Sequence, residues 1–105
     1  MSVPLFVYGT LMRGASNHRE LRGARFLGFV RTLRRYAVGR VAGFPALLPG
    51  TDEVSGELFS VAEDHLARLD VFEGEAYCRR PVELADGASA QAYFLAASAP
   101  RDDEG

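Results

Sequence analysis

Hydrophobic residues in this chain fall into short runs separated by polar, glycine-containing or proline-containing stretches, and no single periodic block dominates. Several runs are rich in β-branched and aromatic residues, a composition typical of buried strands. Residues 43–45 and the Pro49-Gly50 pair mark turns between runs. Asp86-Gly87 separates the last two runs and predicts a hairpin. The predicted strands cover residues 5–8, 26–30, 33–38, 46–48, 54–59, 77–84 and 90–95, with 46–48 as a short edge strand.

The strongest helix signal lies in the second half of the chain. Ser60 and Glu63 form a capping box, in which two side chains satisfy free backbone N–H groups of the first helical turn. Apolar residues then repeat at helical spacing, and Gly74 is placed to end the helix. A shorter helix is predicted through Leu21, with Asn17 as its N-cap. The apolar stripe of the main helix consists of Ala62, Leu66, Leu69 and Phe72.

Many strands with few helices, and no regular alternation of the two, predict an α+β fold. We expect a small mixed or antiparallel sheet, curled into a β-barrel and flanked by one main helix and one short helix. A chain of 105 residues fits one domain of common size, which we expect to span residues 1–97. Residues 98–105 are polar and acidic and predict a loose C-terminal tail.

The composition narrows the kinds of site that the chain can carry. Its one cysteine, Cys78, excludes an internal disulfide and a zinc site with several cysteine ligands. Its two histidines, His18 and His65, lie far apart without a third ligand at a recognisable spacing, so no metal site is expected. No apolar run approaches the roughly 18 residues that a membrane span needs. We therefore expect a cytoplasmic protein without a membrane partner.

Charge is distributed unevenly along the chain. Residues 1–50 carry a formal charge of +7, and residues 51–105 carry a formal charge of −9. The arginines of the basic half are spread over several predicted elements, without the basic and aromatic stripe of a nucleic-acid-binding surface. We therefore expect the two halves to fold together and neutralise each other, and we expect no nucleic-acid partner. A strongly salt-dependent interaction with DNA or RNA would revive that alternative.

One candidate for chemistry is the segment Tyr8-Gly9-Thr10-Leu11, which follows the first predicted strand. Glycine tolerates positive φ, so the chain can turn sharply at Gly9. Without a Cβ in the way, backbone N–H groups there can converge on an anion or an oxyanion. The simpler interpretation, from spacing alone, is an ordinary strand end.

A second candidate is Glu73, at the predicted C-terminal end of the main helix. The helix dipole disfavours an anion at that end by roughly 0.3–1 kcal/mol. An acid placed against the dipole and beside apolar groups tends to have a raised pKa, as a proton-transferring carboxyl requires. An exposed glutamate in a helix-terminating loop fits the same pattern. Asp70 and Glu75 lie close by, and spacing does not choose among the three carboxyl groups.

Five segments of the chain, in order, resemble the γ-glutamylcyclotransferase-like superfamily, in particular the short branch of γ-glutamylamine cyclotransferases and their bacterial relatives. The third segment resembles the "YPAL" motif of that family, with Phe44 in place of the more usual tyrosine. The last segment resembles its "LD-x-x-EG" signature, which continues to Tyr77 and Arg79. The matching segments are residues 7–11 with Gly14, Asn17 and His18, then 23–28, 43–47, 54–59 and 69–74.

The resemblance implies a small β-barrel with flanking helices and a cavity for a small-molecule γ-glutamyl substrate. It also implies that Glu73, the glutamate before glycine, is the general acid/base. No metal, nucleotide or redox cofactor is implied. The residues implied to bind the substrate are Tyr8, Gly9, Thr10, Leu11 and Tyr93.

The implied reaction cyclises a γ-glutamyl amide or peptide to 5-oxoproline and releases the attached amine. A non-catalytic small-molecule-binding protein of the same fold is the alternative. Turnover, as opposed to binding alone, distinguishes the two hypotheses. The identity of the released amine is left open.

Overall fold

The computed structural model describes residues 1–97, in which seven strands form one mixed sheet. One α-helix and one short 3₁₀ helix flank this sheet. The strands are β1 (Ser2–Val7), β2 (Arg25–Arg31), β3 (Tyr36–Val41), β4 (Phe44–Pro49), β5 (Ser55–Ala62), β6 (Tyr77–Glu83) and β7 (Ser89–Leu95); the helices are α1 (Glu63–Glu73) and the 3₁₀ helix His18–Leu21.

The strand order is β2-β5-β1-β7-β4-β3, with β6 paired to β7 along its whole length. Because β6 occupies one edge of β7, both β1 and β4 pair with the other edge. β1 pairs there in parallel through Leu5 and Gln91, and β4 pairs in parallel through Leu47 and Phe94. Along this edge of β7, β1 is the partner at Gln91 and β4 is the partner at Phe94. The chain therefore leaves the sheet after β1.

The α+β class, the mixed sheet and the single main helix confirm the predicted fold class. The sheet is not closed into a barrel, because no continuous ladder joins its terminal strands among residues 1–97. A single bridge between Thr32 and Leu84 links the ends of β2 and β6. The sheet thus curves toward closure without completing it.

Alternate residues of β1 serve opposite faces of the sheet, as the two-residue period of a strand requires. Leu5 and Val7 pack in one buried cluster with Leu66 and Leu69 from α1. Phe6 packs in a second buried cluster on the other face. Since β1 is central in the sheet and contributes to both clusters, the segment that follows it starts from a rigid position.

The predicted capping box is wrong. Ser60 lies on β5 opposite Pro4, and the β1–β5 ladder continues to Ala62. The helix begins only at Glu63, whose backbone N–H donates to the carbonyl of Met1, and its N-cap residue makes no side-chain cap hydrogen bond. Pairing with a strand distant in sequence overrides the local helix signal. The predicted end of the helix is correct, because Gly74 has φ of +77°.

Two predicted strands are shifted. β3 begins at Tyr36 and not at residue 33, because the chain bends at residues 34–35, where Arg35 N donates to Leu33 O at 2.9 Å. β4 begins directly after a tight turn at residues 42–43 and pairs with both β3 and β7, so it is not an edge strand. The predicted 98–105 tail lies outside the described residues. Among residues 1–97, no helix has the length and apolarity needed to cross a bilayer.

Gly56 on β5 tests how tightly the end of β1 is held. A Cβ at this position would lie 2.2 Å from Val7 O and 2.8 Å from the Phe6 ring. A backbone oxygen in a central strand cannot move away easily, so Gly56→Ala should lower the free energy of unfolding by about 1–3 kcal/mol. Urea titration followed by circular dichroism measures this. Ser55→Ala, at an exposed neighbouring position, is the control; equal midpoints for the two variants would contradict the close contact.

Candidate active site

One cavity of about 210 Å³ lies where the chain leaves β1. The segment after β1, the start of β4, the end of α1 and side chains from β6 and β7 form its walls. The structure brings all the sequence-predicted site residues together here, whereas the prediction drew them from three separate parts of the chain. The predicted residues that line the cavity are Tyr8, Gly9, Thr10, Leu11, Glu73 and Tyr93.

Glu73 is the last residue of α1 and is half-buried in the cavity wall. Gly74 reverses the chain directly after it. Burial disfavours the charged carboxylate and raises the pKa of Glu73 to about 7. Within the described residues its carboxyl group has no hydrogen-bond or ion-pair partner. It can therefore gain or lose a proton near neutral pH without breaking an internal contact.

The two neighbouring acids are in different surroundings. Glu75 is exposed and lies outside the cavity. Asp70 accepts from Arg79 Nε at 2.9 Å and Nη2 at 3.1 Å, and from the Tyr93 hydroxyl at 2.7 Å. The Arg79 hydrogen bonds hold the pKa of Asp70 below its usual range. Of the three carboxyl groups that spacing left open, only Glu73 faces the cavity.

Asp70 lies one helical turn before Glu73, and its contacts fix the end of α1. Arg79 comes from β6 and Tyr93 from β7, so one carboxylate ties the helix to two strands. A bidentate arginine–carboxylate pair also restricts orientation, because both groups are planar. The arrangement holds the turn that carries Glu73. It also uses the Tyr93 hydroxyl, so Tyr93 presents mainly its ring to the cavity.

The Tyr8 hydroxyl is likewise fully engaged. It donates to Tyr93 O at 2.5 Å and accepts from Leu47 N at 2.9 Å. Burial raises the pKa of Tyr8 far above its ordinary value, which keeps the hydroxyl protonated. Tyr8 thus joins β7 to β4 at the point where β4 replaces β1, and its ring forms a cavity wall.

We call residues 8–11 the 8–11 loop. Its central carbonyl groups are hydrogen-bonded: Met12 N donates to Gly9 O at 3.0 Å, and Asn17 N donates to Thr10 O at 2.9 Å. The Asn17 amide also donates to the Thr10 hydroxyl at 3.0 Å. The N–H groups of residues 9–11 have no acceptor in the part of the chain that the structure describes. Unpaired N–H groups beside a cavity are the donors that an anion or oxyanion needs.

An ion pair between a buried carboxylate and a partly exposed arginine holds the chain where it leaves the loop. Glu57 on β5 is 5% exposed and accepts from Arg13 N at 2.8 Å and from Arg13 Nε at 3.2 Å. The Arg13 guanidinium lies 3.5 Å from the centre of the Phe26 ring. Two hydrogen bonds and an aromatic face satisfy this charge pair, as burial requires. The 8–11 loop is therefore fixed on both sides.

Gly9 is required for a different reason from the one predicted. Its φ is not positive, so the turn that Met12 N closes onto Gly9 O does not require a glycine there. Instead, a Cβ there would lie 2.7 Å from Cγ of Pro45. Pro45 is held in turn by Tyr77, whose hydroxyl donates to Pro45 O at 2.8 Å. The contact of the loop with β4 forms one corner of the cavity.

Comparison with known proteins identifies the arrangement. The family model for "Gamma-glutamyl cyclotransferase, AIG2-like" matches residues 5–105. The chain belongs to this family. It is 45% identical over 80 residues to Gamma-glutamylaminecyclotransferase of Homo sapiens, which covers 66% of this chain and 52% of that protein. It is 33% identical over 114 residues to Gamma-glutamylaminecyclotransferase A of Danio rerio, covering 93% and 71%.

A solved structure of an AIG2-like protein from Mus musculus has the same fold. Its TM-score is 0.77 at 32% identity, over 94% of this chain and 80% of that one. The family match confirms the resemblance derived from the motifs. The chain spans about half the length of several of the curated relatives that it matches.

The sequence analysis gave no role at the site to several residues that line or support the cavity. Tyr77 and Arg79 stood in the recognised signature without a role, and Asp70 only as an alternative acid. Asp70 and Arg79 lie outside the cavity and hold the end of α1, whereas Tyr77 lines the cavity and holds Pro45. Burial and the neighbouring Glu73 raise the pKa of Tyr77 to about 12. The other lining residues, to which the sequence analysis gave no role at the site, are Phe6, Val7, Asn17, Phe44, Pro45 and Phe72.

The close approach of Pro45 to Gly9 predicts that a substitution of Pro45 can offset the effect of a substitution of Gly9. Gly9→Ala should push β4 away and lower both ligand affinity and stability, by about 1–3 kcal/mol. Gly9→Ala combined with Pro45→Ala removes the colliding Cγ and should recover most of the loss, so the two effects are not additive. Unfolding midpoints and ligand affinities of the single and double variants measure the coupling. Additive losses would show that Gly9 serves another purpose.

The raised pKa of Glu73 predicts a stability cost above neutral pH. Between its ordinary value of 4.5 and about 7, the folded chain keeps a proton that the unfolded chain releases, so stability falls as pH rises. At pH 8, Glu73→Gln should therefore raise the free energy of unfolding by about 1–3 kcal/mol. At pH 4 the difference should vanish. Urea unfolding at both pH values tests this, with exposed Glu75→Gln as control; a gain independent of pH would contradict burial as the cause.

Proposed function

We propose that this protein converts a γ-glutamyl amide into 5-oxoproline and releases the attached amine. The observation that carries the proposal is the unpaired carboxyl of Glu73 in one cavity with the unpaired N–H groups of residues 9–11. A proton acceptor beside anion-binding donors suits the chemistry of an amide that carries its own amine and carboxylate. Relatives named Gamma-glutamylaminecyclotransferase support this substrate class.

The reaction is an intramolecular aminolysis. The α-amine nitrogen of the substrate attacks its own γ-carbonyl carbon, and the new C–N bond closes a five-membered lactam. The original C–N bond breaks, and its nitrogen leaves with an added proton. Because nucleophile and electrophile belong to one molecule, the protein has to fold the substrate rather than bring two reactants together.

Glu73 carries the proton in this proposal. The substrate α-amine has an ordinary pKa of about 7.7–8 and is mostly protonated at neutral pH. A carboxylate with a pKa of about 7 can accept that proton, and the resulting acid can donate to the leaving nitrogen. Below pH 7 Glu73 is itself protonated, so the rate should fall there.

The 8–11 loop binds the charged or polarised oxygen atoms of the substrate. Its N–H groups reach either the α-carboxylate or the oxyanion that forms at the γ-carbonyl. Asn17 on one side and the Arg13–Glu57 pair on the other keep these donors oriented. The rings of Tyr8, Tyr77 and Tyr93 form the walls and exclude water from the reacting atoms.

Glu73→Gln tests the proposal directly. Gln preserves the shape of the side chain but cannot carry the proton, so kcat should fall by about 100-fold or more while substrate affinity is kept. Release of 5-oxoproline from a panel of γ-glutamyl amides and dipeptides, followed by chromatography, is the measurement. For the unmodified protein, kcat/KM should decline below about pH 7.

Glu75→Gln, two residues along and exposed, is the matched control and should retain activity. Near-normal kcat in Glu73→Gln would remove Glu73 from the chemistry. Binding of γ-glutamyl compounds by the unmodified protein without any 5-oxoproline would favour the non-catalytic alternative.

A further inference from the structure

Two phenylalanines are exposed at the rim of the cavity. Phe44 at the start of β4 is 51% exposed and Phe72 at the end of α1 is 43% exposed, and both line the cavity. Single exposed apolar residues are common on protein surfaces and do not by themselves indicate a binding site. Two aromatic rings from separate elements at one opening form a local apolar surface that a ligand can cover.

Phe44 is held rigidly at this rim. It follows the two-residue turn of Ala42 and Gly43, whose φ values are +50° and +81°, and it pairs with Val41 across the turn. Positive φ at both central residues gives the turn that matches the twist of a hairpin. An alanine in this conformation is strained, so the surrounding structure must hold it there.

The backbone at Phe72 is also held in place by its neighbours in α1. It lies in the last turn of α1, between Asp70, which Arg79 and Tyr93 anchor, and Glu73. The side chain that would carry the proton and the exposed ring are consecutive residues. Both residues line the same cavity, so a ligand in contact with Glu73 has the Phe72 ring in the wall of the same space.

The walls of the cavity divide by polarity. The 8–11 loop and Asn17 contribute unpaired N–H groups, a hydroxyl and an amide. The start of β4 and the end of α1 contribute the two exposed rings, and the end of α1 also contributes Glu73. The glutamyl part of the substrate carries an amine and a carboxylate, so it fits the polar groups of the 8–11 loop together with Glu73. The leaving amine is then the part that remains for the rings.

We propose that Phe44 and Phe72 form a leaving-group subsite that selects γ-glutamyl amides whose amine carries an aromatic or bulky apolar group. The proposal rests on the proposed function, because it names the substrate class of the same site. The rings act on the amine portion and not on the glutamyl portion. Specificity among γ-glutamyl compounds is thereby set by how much apolar surface the amine covers on these rings.

A matched pair of substrates tests the subsite. γ-Glutamyl-phenethylamide and γ-glutamyl-ethylamide have the same scissile bond and differ by a phenyl ring. The kcat/KM ratio should favour the phenethylamide by about tenfold or more, since each added apolar group in a pocket contributes discrimination of this order. Phe44→Ala and Phe72→Ala should each reduce that ratio by at least about threefold.

Val71→Ala is the control variant, because Val71 neighbours Phe72 on α1, is 82% exposed and lies outside the cavity. It should leave the ratio unchanged. Phe72→Leu keeps an apolar side chain without the ring and should give an intermediate ratio. Circular dichroism of each variant separates a change in specificity from a loss of fold.

The outcomes distinguish the two proposals. Equal kcat/KM for the two amides, or a ratio that both alanine variants leave intact, would overturn the subsite and leave the cyclisation standing. Turnover of γ-glutamyl dipeptides with neither amide accepted would do the same. No 5-oxoproline from any of these compounds would overturn the proposed function and the subsite with it.

Discussion

The site depends on the way two strands share one edge of β7. β1 pairs at Gln91 and β4 pairs at Phe94, so neither strand can continue where the other lies. The Tyr8 hydroxyl satisfies one backbone group on each side of this junction, Tyr93 O and Leu47 N. Because the edge is occupied, the chain after Tyr8 has to leave the sheet. The space beside that departure is the cavity.

The same helical turn carries two carboxyl groups with opposite environments. Asp70 is paired with Arg79 and Tyr93, which lowers its pKa, whereas Glu73 is half-buried without a partner, which raises its pKa. The hydrogen bonds of Asp70 to Arg79 and Tyr93 also fix the helical turn that carries Glu73. In that position the Glu73 carboxyl has no ion-pair partner among the described residues. Asp70 is thus committed to contacts within the fold, whereas Glu73 can gain or lose a proton without breaking one. Neighbouring titratable groups driven apart in pKa are characteristic of acid/base sites.

Local pattern predicted that seven strands exist, and it predicted the final hairpin and the end of α1 at Gly74 with Glu73 beside it, but it misplaced the start of β3 and put β4 at an edge. These features depend on residues close in sequence. Local pattern failed where a distant segment decided the outcome. Ser60 carries a capping signal, but pairing of β5 with β1 makes it a strand residue. Gly9 suggested a turn, but Pro45, 36 positions away, is what excludes a side chain there. The roles of the signature residues around Asp70 likewise required the fold.

The proposed function depends on polar groups at the cavity for which the fold provides no hydrogen-bond partner among residues 1–97. A buried polar group without a partner lowers stability, and most native groups find one. Among residues 1–97, however, the Glu73 carboxyl and the N–H groups of residues 9–11 have no hydrogen-bond partner. The surrounding polar groups of Tyr8, Asp70 and Glu57 are paired. The polar groups without a hydrogen-bond partner are therefore concentrated at one cavity. A carboxyl group and N–H donors together are complementary to a ligand that donates a proton and also carries an anionic oxygen. A γ-glutamyl group, with its ammonium and carboxylate, has both, and this match supports the proposed function.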